Sequence, residues 1–135
     1  MRHHQFNFYT FSATLDLYIN CNQEELLKNV RKKLKDKTIE FNFKVWSGCY
    51  YTLEHGDKQY RIVWIKNFDW SVASQALLIH ELIHYVMAVF DDKGIPISKD
   101  NEETFAYFLE HIVGTVLWRL RALSPAHKKT PKKKT

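Results

Sequence analysis

With 135 residues, 45% of them hydrophobic and 15% aromatic, the chain can bury one core but is too short for two ordinary domains. Its formal charge of +5 is local: Lys128, Lys129, Lys132, Lys133 and Lys134 fall in the last eight residues, and the remainder carries fifteen basic against fifteen acidic side chains. That balance gives the folded part no obvious basic face for nucleic acid, and two cysteines in no short ligand spacing do not indicate a disulfide framework.

The N-terminus, MRHHQFNFYTF, lacks the apolar run of a secretion signal, and the longest apolar region, 105 to 120, is interrupted by Glu110, His111, Gly114 and Arg119. The expectation is a cytoplasmic protein with no membrane partner. Residues 6 to 19 alternate roughly as strands do, with a hairpin around Ser12. Asn22 followed by Glu25 forms a capping box, and Leu26, Leu27, Val30 and Leu34 then recur at helical spacing to about Lys35. The opposite face, with Lys28, Arg31, Lys32, Lys33 and Lys35, reads as solvated surface.

Ile39 to Trp46, Tyr50 to Leu53 and Gln59 to Ile65 read as a three-stranded meander turning at Ser47-Gly48 and at His55-Gly56-Asp57. A long, largely buried helix follows from Ser71 to about Phe90, with Ala73, Ala76, Leu77, Leu82, Ile83, Val86 and Val89 on its apolar surface. Gly94 and Pro96 end it, and Asp100 or Asn101 caps a last helix to about Leu123. The domain is therefore expected to span residues 1–123. Residues 124–135 form a Lys-rich tail expected to be disordered, and nucleic acid enters only as a partner of that tail.

Within the long helix, His80-Glu81-Leu82-Ile83-His84 places two imidazoles slightly more than one turn apart, so both project from one face toward a single point. One zinc ion per chain suits two neutral nitrogen donors, and a catalytic zinc needs a third protein ligand from elsewhere. Glu81 lies beside that face, where a carboxylate can accept a proton from an attacking water.

HELIH on a helix, preceded by the strand YRIVWI and followed by a second helix carrying an acidic ligand, resembles the gluzincin branch of zincin metallopeptidases. It is most similar to small, often phage-encoded zincin-like metallopeptidases whose second helix opens with Glu-x-x-Ala-Tyr, matched here by Glu103-Thr104-Phe105-Ala106-Tyr107. The resemblance covers residues 59 to 121. It implies zinc ligands at His80, His84 and Glu103, with Glu81 as general base. Gluzincins such as thermolysin carry an Asp where this chain has Tyr107, which weakens the support for histidine orientation. Tyr107 or His111 is left as the oxyanion donor.

Periodicity alone aims Glu102 inward, at the centre of the stripe made by Phe105, Ala106, Leu109, Val113 and Val116. A ligand presented from the flank of that stripe, with Ala106 allowing close helix approach, selects Glu103 instead, in agreement with the family pattern. In zincins an edge strand above the metal pairs with extended substrate, and 59 to 65 is the candidate; plain sheet packing explains Tyr60 and Trp64 equally well.

The expected fold is α+β: a minimal zincin-like domain with an N-terminal sheet and one helix, then the HExxH helix and a ligand-donating helix. The expected function is zinc-dependent peptide-bond hydrolysis of a peptide or protein substrate. The rival is a catalytically idle, zinc-stabilised binding module.

Overall fold

Strand alternation begins earlier than residue 6. In the computed structural model, which describes residues 1–41, 44 and 47–125, β1 (Arg2–Phe8) passes through a 3-10 turn at Thr10–Ser12 into β2 (Ala13–Ile19). The two strands pair antiparallel from Arg2 opposite Ile19 to Phe8 opposite Ala13. Phe11 and Ser12 take positive φ at the reversal, 61° and 48°. That cost is offset by packing, since the Phe11 ring meets Phe90 and Phe108 edge-on at 5.4 and 5.1 Å.

The capping box forms as its spacing dictates. The Asn22 side chain accepts the Glu25 N–H and the Glu25 carboxylate accepts the Asn22 N–H, both at 2.8 Å, which starts α1 (Gln23–Leu34). Leu26 and Val30 are its buried face.

β3 (Gly48–His55) and β4 (Lys58–Ile65) form a hairpin turning at Gly56, whose φ of 64° suits glycine. Among the described residues the first strand of the expected meander is not present. Residues 39–41 and 44 are not in a strand, 42, 43, 45 and 46 lie outside the described residues, and Gly48 opens β3 instead of turning. β4 pairs parallel with β2, from Asp16 opposite Ile62 to Ile19 opposite Ile65, giving a mixed sheet in the order β1-β2-β4-β3. The reason lies in β4 itself: Ile62, Val63, Trp64 and Ile65 are all buried, as befits a strand flanked by strands and covered on both faces.

The strand at 59 to 65 is therefore internal, and among the described residues the edges are β1 and β3. Trp64 belongs to the α1 side of the sheet, where its Nε1 donates to the Cys21 carbonyl at 2.8 Å, and Tyr60 packs against the same cluster. For these two residues the packing reading is the one that fits.

The other face is covered by α2 (Val72–Asp92) and α3 (Glu102–Ala122). Ser71 caps α2 by accepting the Ser74 N–H at 3.1 Å. By length and composition α2 could cross a membrane, with mean hydropathy 1.4, yet Leu78, Leu82, Tyr85, Val86, Val89 and Phe90 are buried in the core shared with the sheet and α3. Ala73 and Ala76 are exposed, so its buried face is narrower than expected. In α3 the buried stripe is Phe108, Ile112, Val116 and Leu120. Ala106 is exposed, so the close helix approach expected there is absent. The overall class is α+β: a four-stranded mixed sheet with one helix on one face and two on the other.

Candidate metal centre

Helical geometry does what the i, i+4 spacing promises. The Nε2 atoms of His80 and His84 stand 3.2 Å apart, with the rings 75° from coplanar. Two nitrogens bound to one tetrahedral zinc at ordinary bond lengths are separated by about 3.3–3.4 Å. The pair thus has the spacing of two ligands of one ion. Both histidines are exposed, on the outer face of α2 rather than in its buried one.

Glu81 is the unusual member: it is a buried acid, 6% exposed, with Oε1 4.0 Å from His80 Nε2. The donor atoms of His80, Glu81 and His84 all lie within 4.8 Å of one another. A carboxylate held this far from water is costly unless cationic or donor groups face it, and an ion between the imidazoles would supply that charge. The residues present therefore fit a divalent metal.

What surrounds Glu81 is set by the sheet edge. Leu77, one turn earlier on α2, lies 3.3 Å from where a Cβ on Gly48 would stand, so the start of β3 and α2 are in close approach. Cys49 follows: burial first, and the Glu81 carboxylate second, push its thiol up to about 12. The thiol is neutral and packs on the α1 side of the sheet, across from the helix that carries Glu81. Tyr85, next to His84, is fully buried with no hydrogen-bond partner for its hydroxyl among the described residues, and burial raises its pKa. Its ring meets Tyr50 of β3 at 6.4 Å. Gly48, Tyr50 and Tyr85 were not singled out from sequence as site neighbours, because pairing across a sheet edge leaves no local motif.

The remaining candidates stand elsewhere. Glu103, in the first turn of α3, is exposed and is not among the side chains gathered around His80 and His84; Glu102 is exposed beside it. Phe105 meets Phe90 at 5.5 Å, so the start of α3 lies against the end of α2, and Phe90 is about 9 Å along the helix from His84. Tyr107 is 66% exposed on α3, and His111 is exposed with its ring edge-on to Phe8 at 5.8 Å. The structure brings together His80, Glu81 and His84 and leaves Glu103, Tyr107 and His111 outside that group.

No protein-family model, curated protein or solved structure matches this chain.

Proposed function

We propose that this chain is a zinc-dependent peptidase whose metal is held by His80 and His84 and whose general base is Glu81. The observation that carries the reading is one buried carboxylate beside two exposed imidazoles whose Nε2 atoms are 3.2 Å apart. When bound, zinc would lower the pKa of water and polarise a carbonyl, which is the chemistry that peptide hydrolysis lacks at neutral pH.

The chain's own groups divide the rest. His80 and His84 present neutral nitrogens from one helical face, and no third protein ligand is assigned. Glu81 accepts the proton of the attacking water through Oε1 and can return it to the leaving amine, with burial against β3 shielding it from bulk solvent. Among the described residues β3 pairs in the sheet with β4 alone, so its other edge could offer backbone N–H and C=O groups to an extended peptide. This moves the substrate-pairing role from 59 to 65 onto β3.

Glu81→Gln separates the roles, because an amide keeps the shape but cannot take the proton. The variant should retain zinc and fold while losing chelator-sensitive cleavage of a peptide library. Turnover retained in Glu81→Gln would remove Glu81 from the mechanism. A second reading, a catalytically idle metal-stabilised binding module, is favoured by one observation, the separation of Glu103 from the histidine pair. Zinc binding by the parent with no turnover on any peptide would select it.

A further inference from the structure

The cations of α1 and the turn after it divide into those the fold uses and those it does not. Lys33 is spent inside the molecule, with its Nζ 2.7 Å from the buried Asp16 carboxylate. Arg31 is fixed in place, because its Nε donates to the Ile39 carbonyl at 2.7 Å, which leaves its two terminal guanidinium nitrogens as donors. Lys28, Lys32, Lys35 and Lys37 are exposed, and their side chains make no ion pair or hydrogen bond among the described residues.

These four lysines and Arg31 line a single groove of about 640 Å³, completed by Leu27 and Glu24. From Lys28 to Lys35 the cations follow one another at steps of one to three residues over about 10 Å of helix, so they leave from one side of α1. A helix dipole favours cations in the last turn, which accounts for Arg31 and Lys32 but not for Lys28 one turn earlier or for Lys37 beyond the helix end. Five cations held around one concavity repel one another, and an anionic partner relieves that repulsion.

We propose that this groove docks an acidic segment of a partner protein, whose carboxylates meet the four lysines and Arg31 while an apolar side chain packs on Leu27. Charge complementarity selects an anion, and the two other lining residues select a peptide. Leu27 is half-buried against the core on this side of the sheet and offers an apolar contact that a phosphate backbone does not use. Glu24 stands at the N-terminal end of the row, where it repels a chain of phosphates but can receive a basic residue of a peptide. Arg31, already anchored by Ile39, presents its remaining nitrogens to a carboxylate at little further cost in side-chain entropy. The groove lies across the sheet from α2, so the proposal does not depend on what His80 and His84 do.

Fluorescence anisotropy on the full chain at low salt tests this, with a short labelled peptide of glutamates interrupted by leucine as the probe. The parent should bind it saturably and more weakly as salt is raised, and should not bind the analogue with glutamine in place of glutamate. Lys28→Glu combined with Lys32→Glu should bind more than tenfold more weakly. Both positions are exposed and without partners, so circular dichroism should show the parent's fold. Lys28→Ala with Lys32→Ala keeps helix propensity and should lose part of the affinity, which guards against misfolding of the charge-reversed variant. Replacing Lys128, Lys129, Lys132, Lys133 and Lys134 by glutamine should leave binding unchanged. Affinity that survives Lys28→Glu with Lys32→Glu, or that disappears with the five C-terminal lysines alone, would overturn the proposal. So would tighter binding of a labelled oligothymidylate that is lost in the same groove variant, since the groove would then serve phosphates.

Discussion

Gly48→Ala places one methyl group where the edge strand, the neighbouring strand and the metal-bearing helix converge. Its Cβ would lie 2.9 Å from the Trp64 carbonyl oxygen, 3.0 Å from Ile65 Cδ1 and 3.3 Å from Leu77 Cδ2. Side-chain tips can move by a few tenths of an ångström, but a backbone oxygen in a paired strand cannot yield without disturbing the β3–β4 ladder. Overpacking of this kind costs about 1–3 kcal/mol. Replacing glycine at an ordinary φ returns about 0.4–1 kcal/mol through the unfolded chain. The net loss is then about 1–2 kcal/mol, or a fall in melting temperature of roughly 3–8 °C for a domain of this size. Thermal unfolding followed by circular dichroism reads it directly. Zinc affinity should fall as well, since Leu77 is one turn before Glu81. An alanine variant as stable as the parent would refute the close approach of β3 to α2 on which the site's geometry rests.

Asp16 supplies a pH-dependent test. Burial alone would raise its pKa, but hydrogen bonds from His3 at 2.8 Å and Lys33 at 2.7 Å outweigh it and hold the carboxyl below its ordinary value of 3.8. A depressed folded-state pKa contributes stability that is complete above the unfolded value and lost as pH falls through the folded one. Asp16→Asn should therefore cost about 1–3 kcal/mol at pH 7, and in urea titrations the gap from the parent should close in the acid range below pH 3.8; a gap independent of pH would contradict the ion-pair account. Trp64→Phe removes the donor to the Cys21 carbonyl and should cost about 1–2 kcal/mol with metal affinity unchanged. A parallel loss of zinc binding would mean that the two faces of the sheet are coupled. Glu102→Ala and Glu103→Ala should both change zinc affinity little in a competitive titration. A large loss confined to Glu103→Ala would show that α3 supplies the third ligand, as the gluzincin resemblance implies.

Some of this architecture is legible because its cause is local. The capping box at Asn22 and Glu25, the turn at Gly56 and the convergence of His80 with His84 each depend on no more than five consecutive residues. The position of β4 is not of that kind. Its partner β2 lies some forty residues earlier in the chain, and the parallel pairing is reached only after α1 and β3 have been laid down. One clue was present: the unbroken apolar run from Ile62 to Ile65 suits an internal strand better than an edge. Gly48 reads from sequence as a turn, whereas in the fold it is a place where helix and strand come too close for a side chain. Whether Glu103 can reach the histidines depends on the rotation and height of α3 against α2, which a motif register does not encode. The buried stripe through Phe108 and Ile112 turns Ala106 to solvent, opposite to the close approach expected there.

The central claim is that His80 and His84 form a metal site, and elemental analysis of purified parent and of the His80→Ala, His84→Ala double variant tests it most directly. Both substituted positions are exposed, so the fold should survive and can be checked by circular dichroism. The parent should carry one zinc per chain and the double variant none. Equal zinc in the two proteins, or a parent that binds none when dialysed against zinc, would contradict the account.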